Sequence, residues 1–191
     1  MGKPLDRDRA LRMLEEAGCP PEVIRHCQRV AHLALRIARA CREAGLDVDL
    51  DLVEVGALLH DIGRARTHSI GHVFIGAEMV REAGFPEEVV RAVLTHACGV
   101  RPEVAERFGW PRDDYAPRRL EEKIIAYADK LVEGRGILSF EEALGKLVER
   151  LGPGHPAVKN LIKIHEELRA ILGGGLGQGR PAGEGLRPEQ A

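Results

Sequence analysis

Apolar positions recur at three- and four-residue steps along nearly the whole chain and almost nowhere alternate, the period of helices packed on one face. From Pro21 to about Ala44, Val23, Val30, Ala31, Ala34, Ile37, Ala38 and Cys41 form one stripe with arginines between them, and Gly45 ends it. Before it, Asp6 can cap a helix running to about Ala17, closed by Gly18 and Pro20-Pro21, because a short side-chain oxygen satisfies first-turn N–H groups. Asp49 or Asp51 opens a third helix with the stripe Leu52, Val55, Gly56 and Leu59. A fourth is entered near His68 to His72, carries Ile75, Met79 and Val80, and stops at Gly84; Pro86-Glu-Glu opens a fifth that reaches His96. Gly99 to Arg119 is irregular apart from a short helix near Pro102 to Phe108, and an insertion of this kind is expected to cap a functional site. Helices return at Leu120 to Val132, from the capping-box spacing Ser139-Phe-Glu-Glu142 to Leu151, and at Ala157 to Leu172. No strand is expected. The pattern predicts an all-α, single-domain bundle over 1–172, with the glycine- and proline-rich 173–191 as a disordered tail.

Composition narrows the classes. A chain of 191 residues is long enough for one real core. A charged fraction of 30% with net charge −2 is an ordinary surface, so neither nucleic acid nor an acidic membrane is expected as a partner. Cys19, Cys27, Cys41 and Cys98 show no C-x-x-C spacing and read as reduced thiols. No apolar run approaches the roughly 18 residues of a membrane span, and Met-Gly-Lys-Pro-Leu-Asp lacks a signal peptide's apolar segment. The expected compartment is the cytoplasm.

The chemistry centres on Val55-Gly-Ala-Leu-Leu-His-Asp-Ile-Gly63, an apolar turn with two adjacent polar residues, His60 and Asp61. Burying both is costly unless each finds a partner, either in a His–Asp hydrogen bond or in a shared divalent cation. Neighbouring helix residues point about 100° apart, so Asp61 can reach sideways and even bridge two ions. Gly63 suits the left-handed position that ends a helix, which would leave the pair at an open end. His26, His72, His96 and Asp129 lie on separate predicted helices, each at an end or on an inward stripe. Together the six donors suit two divalent ions among iron, manganese, cobalt, nickel and zinc. His26, His60, Asp61 and Asp129 would surround the first ion; Asp61, His72 and His96 would hold the second.

The order His26, then His60-Asp61-Ile62-Gly63, then Asp129 within Ile125-Ala-Tyr-Ala-Asp-Lys130 resembles the HD-domain superfamily of metal-dependent phosphohydrolases, in the subgroup whose signature reads H-D-I-G. The similarity spans roughly Val23 to Val132. Gly71-His-Val-Phe-Ile-Gly-Ala77 and Leu94-Thr-His-Ala-Cys-Gly99 look like the additional histidine segments of the binuclear branch, and in particular of small bacterial enzymes that hydrolyse dinucleoside polyphosphates. The resemblance implies a helical fold with a central metal site and hydrolysis of a phosphoester or phosphoanhydride in a small phosphorylated substrate of the nucleotide kind, by metal-activated water. It also implies phosphate contacts at Arg64, where many relatives carry lysine, and at Lys130, although an exposed cation is often simply solvated. His68 precedes His72 by four residues; the metal bond is assigned to His72, and His68 becomes a possible substrate contact. His32, His155 and His165 read as structural or surface residues.

Two other functions fit the same ligands. HD-type bundles with this six-ligand set include diiron oxygenases that cleave carbon bonds with dioxygen, and a non-catalytic metal- or nucleotide-binding module would also carry them. Phe108, Trp110 and Tyr115, gathered in the irregular segment of an aromatic-poor chain, are candidates for stacking on a base.

Overall fold

The computed structural model describes residues 5–173. Its helices are α1 (Arg7–Glu16), α2 (Pro21–Glu43), α3 (Leu50–Leu59), α4 (His72–Glu82), α5 (Glu87–Thr95), α6 (Pro102–Arg107), α7 (Leu120–Leu131), α8 (Phe140–Leu151) and α9 (Pro156–Leu172), with a 3-10 turn at Ile62–Ala65. Most begin where short-range chemistry dictates. Asp6 accepts from the Asp8 N–H and Asp49 from the Leu52 N–H, both at 2.9 Å, and Ser139 and Glu142 complete a reciprocal capping box.

Helix α3 is the axis of the bundle. Leu52, Val53, Val55, Gly56, Ala57, Leu58 and Leu59 are all buried, and a helix apolar around most of its circumference, with Asp51 and Glu54 left toward solvent, has to be covered on most sides. It packs against α1, α2, α5 and α7. Gly56 allows this closeness: a Cβ there would lie 2.8 Å from Ile125 Cδ1 and 2.9 Å from Ala92 Cβ. The stripe of α2, from Val23 through Cys27 and Val30 to Cys41, lies against α3 and α7. One contiguous apolar cluster runs from Ala10 to Leu168.

Three local expectations are corrected. Gly63 does not end a helix in the left-handed region: α3 stops at Leu59, and Gly63 sits inside the 3-10 turn. Its missing side chain serves a close approach, because a Cβ would fall 2.0 Å from the carbonyl oxygen of His72. A two-stranded antiparallel hairpin, β1 (Val132–Glu133) and β2 (Gly136–Ile137), follows α7 with Gly134 at φ 54°; two-residue strands are too short to register as alternation. The irregular segment packs as an aromatic cluster on α4, with Phe74 stacked on Phe108 at 5.3 Å and edge-on to Tyr115 at 5.6 Å. Tyr115 is buried and its hydroxyl donates to Pro111 O, so packing accounts for this aromatic.

The expected tail, beyond Gly173, lies outside the described residues. Among the described residues no helix is long and apolar enough to cross a membrane.

Candidate metal centre

Five of the helices and the turn after α3 deliver their polar residues to one place. His60 caps the C-terminus of α3, and Asp61 follows it into the 3-10 turn. His96 caps the C-terminus of α5, His72 is the first residue of α4, His26 lies in the early turns of α2, and Asp129 lies in the last turn of α7. His26 Nε2 is 3.0 Å and His60 Nε2 3.3 Å from Asp129 Oδ1. The two oxygens of Asp61 face different partners: Oδ2 is 3.7 Å from His60 Nε2, whereas Oδ1 is 3.1 Å from His72 Nε2 and 3.5 Å from His96 Nε2. All six expected donors are therefore brought together, with Asp61 between two groups.

The rings are oriented by the backbone. His60 Nδ1 meets Ala57 O at 2.7 Å, His72 Nδ1 meets Ser69 O at 2.7 Å, and His96 Nδ1 meets Val93 O at 2.6 Å. A carbonyl accepts only, so each Nδ1 donates its proton and each neutral ring turns a bare Nε2 lone pair inward. For His60 and His96 the acceptor is an unpaired carbonyl of their own helix end. This fixes the tautomer that a metal-ligating histidine needs.

Those lone pairs converge with no hydrogen between them. His72 Nε2 and His96 Nε2 lie 3.1 Å apart, and with both protons on Nδ1 this contact joins two acceptors. His60 Nε2 and Asp61 Oδ1 are buried and make no hydrogen bond. A nest of buried acceptors requires positive charge in its midst, as ring protons or as a cation. Burial holds the His96 ring neutral down to about pH 4, against the pull of Asp61, which disfavours the proton there. At His60, burial opposes the charged ring but is outweighed by Cys27, Asp61 and Asp129, so positive charge is favoured at its Nε2. Burial would raise both carboxyl groups, yet the positive charge favoured at His60 holds Asp61 far below the usual range, and Lys130, His26 and His60 do the same for Asp129. The donor set thus fits divalent cations. Donor atoms of His26, His60 and Asp129 all lie within 4.8 Å of one another, as do those of His60, Asp61 and His96.

The site opens on one side. The side chains of His60 and His96 are 0% and 2% exposed, whereas His26 is 24% exposed, and a cleft of about 510 Å3 reaches His26, Asp61 and Asp129 there. Arg64 and Lys130 line it as well. Arg64 Nε donates to Asp61 Oδ2 at 2.5 Å, and Lys130 donates to Asp129 Oδ2. Burial works against the Lys130 cation, but Asp129 more than compensates and keeps it charged. His68 is placed differently from the neighbours it was grouped with: it is exposed, in the turn before α4, so the i, i+4 face it would share with His72 on a continuous helix does not form. Sequence reasoning missed Lys146 and Arg150 of α8, which line the same cleft; their only signal is a charged stripe on an amphipathic helix, which many helices share.

Comparison with known proteins identifies the family and the fold. The family model described as HD domain matches residues 23–134. An uncharacterized protein of Methanocaldococcus jannaschii is 39% identical over 169 residues, covering 88% of this chain and 99% of its own. A tRNA (cytidine(56)-2'-O)-methyltransferase of Picrophilus torridus is 36% identical over 169 residues, 88% of this chain but only 48% of its own length. Ribonuclease Y of Acidothermus cellulolyticus is 35% identical over 131 residues, 65% of this chain and 26% of its own. In fold, the chain is similar to the HD domain of the L. monocytogenes phosphodiesterase PgpH, solved in complex with cyclic-di-AMP, at TM-score 0.52 and 19% identity over 85% of this chain and 96% of that one. The chain belongs to the HD-domain family.

Proposed function

We propose that this chain is a metal-dependent phosphohydrolase that cleaves a phosphoester or phosphoanhydride bond in a nucleotide-type substrate. The observation that carries this reading is the convergence of inward-facing Nε2 atoms on a two-faced carboxylate, beside a cleft with two basic side chains. His26, His60, Asp61 and Asp129 would hold one cation, and Asp61, His72 and His96 a second. Divalent cations in that place supply Lewis acidity, making water nucleophilic near neutral pH and drawing charge from phosphoryl oxygens. The protein's own groups do the rest. Asp61 and Asp129, both held ionised, supply the negative charge of the site. Arg64 and Lys130, which otherwise bind those carboxylates, are placed to orient a phosphoryl group entering from the cleft, the guanidinium through two parallel donors. The burial of His60, His72 and His96 keeps bulk water from the inner face.

The test is phosphate or nucleotide release by the chain loaded with each of iron, manganese, cobalt, nickel and zinc, over mononucleotides, cyclic dinucleotides and dinucleoside polyphosphates. Release that vanishes with chelator and in both His60→Ala and Asp129→Ala supports the reading. Turnover that instead consumes dioxygen would replace it with the oxygenase, and metal binding without any turnover with the non-catalytic module.

A second substrate reading is favoured by the likeness to ribonuclease Y: the bond cleaved is a phosphodiester of an RNA strand. The reaction class and residues are the same, and a short 5′-phosphorylated RNA added to the panel separates the two.

A further inference from the structure

The cleft beside Asp61 and Asp129 has a wall that the family match does not reach. The match ends at residue 134, whereas Ala143, Lys146, Leu147 and Arg150 of α8 all line the cleft. Their three- and four-residue spacing puts them on one face of that helix. Ala143 and Leu147 are buried, while Lys146 and Arg150 are exposed, so this face is apolar at its foot and cationic at its rim.

The charges of the cleft are four and four: Arg64, Lys130, Lys146 and Arg150 against Glu22, Asp61, Asp129 and Glu133. Lys146 is paired with Glu133, and Arg150 has no ion pair among the described residues. Under the hydrolase reading Asp61 and Asp129 are committed to cations, and the cleft turns strongly positive. Arg64 and Lys130 suffice for one phosphoryl group at the metal centre. Lys146 and Arg150, on a different element, have no role there, and a volume of about 510 Å3 is more than one phosphoryl group needs.

We propose that Arg150 and Lys146 form a distal phosphate subsite, so that the substrate is a nucleotide bearing a second phosphate beyond the one attacked. This inference rests on the hydrolase reading. The guanidinium takes the second phosphate by its donor fork, Lys146 adds a point charge, and Val23, Leu138 and Leu147 give the intervening sugar or base an apolar wall.

The experiment measures affinity by calorimetry in excess manganese, one of the ions the donor set suits, for AMP, ADP and the 5′-phosphorylated dinucleotide pApA, in the parent chain, the Lys146→Ala/Arg150→Ala double variant, and Arg150→Lys. Both positions are exposed on one helix, so the variants keep the fold. The expected result is AMP affinity unchanged within about twofold, and affinity for ADP or pApA about tenfold weaker in the double variant and intermediate in Arg150→Lys. Loss confined to ADP assigns a phosphoanhydride chain, and loss confined to pApA a phosphodiester chain. Unchanged affinities in the double variant, an equal loss for AMP, or a parent that binds neither ADP nor pApA better than AMP overturns the subsite. Turnover of bis(4-nitrophenyl) phosphate by the same metal-loaded proteins separates the two readings. Turnover with unchanged affinities removes only the subsite; the predicted affinity loss in a chain that hydrolyses none of these compounds removes only the hydrolase.

Discussion

His26 Nε2 stands 3.0 Å from Asp129 Oδ1 across a separation of 103 residues. The contact exists because α2 and α7 lie side by side against α3, so that the start of one helix meets the end of the other. Both residues sit at the mouth of the buried site rather than in the apolar core, and this sets what their replacement should do. In His26→Ala, metal affinity and phosphate release should fall by on the order of a hundredfold, the upper end of what even outer-shell changes cost at metal sites, with the helical circular dichroism unchanged. Metal analysis after dialysis checks this; full metal content in the variant would remove His26 from the ligand set.

Asp61 faces both groups of donors, so its loss should abolish binding of both ions. A ligand present at about a hundred times its dissociation constant adds about 2.7 kcal/mol to folding stability, or roughly 5–10 °C in melting temperature for a chain of this size. Chelator should therefore lower the melting temperature of the metal-loaded parent by that amount and leave Asp61→Ala unmoved. A differential scan with and without chelator measures both.

Two glycines of similar appearance in the sequence should behave oppositely. A Cβ at Gly63 meets the backbone oxygen of His72 at 2.0 Å, and backbone cannot step aside cheaply; Gly63→Ala should cost about 2–4 kcal/mol or more, as overpacking at a rigid contact does, and should weaken metal binding by displacing His72. Gly145, inside α8, has nothing within 4 Å of its Cβ position, so Gly145→Ala should gain about 0.5–1 kcal/mol from helix propensity. Urea denaturation of the metal-free proteins reads both signs.

His165 supplies a pH dependence remote from the metal centre. Its ring stacks on Phe140 at 3.6 Å, and its Nδ1 takes the Tyr127 hydroxyl at 2.7 Å. Burial pushes this ring below its ordinary value, with Arg169 adding to the shift and Glu141 and Glu166 opposing it. The folded ring therefore releases its proton more readily than the unfolded one. Its contribution to stability is complete above the unfolded value of about 6.5 and is lost as pH falls below it toward the lower folded value. Between pH 7.5 and 5.5 the parent should lose more stability than His165→Phe, and denaturant midpoints at the two pH values give the comparison.

What could be read from the sequence was whatever the local chain decides. The periodicity of α2, the caps at Asp6 and Asp49 and the capping box at Ser139 depend on neighbours within a turn or two, so each of these elements stood where its residues placed it. The six side chains that the fold brings together were legible as well, because a histidine or aspartate on an apolar stripe has to be satisfied. Tertiary structure alone decided the rest. The clash that reserves Gly63 for a residue without a side chain comes from His72 on the next element. The outward turn of His68 and the inward turn of His72 depend on where α4 starts, and Lys146 and Arg150 join the cleft only because α8 folds back after a hairpin too short to show a strand pattern. These are relations between distant segments, created by packing, and a one-dimensional pattern records the faces that can pack but not which face each one meets.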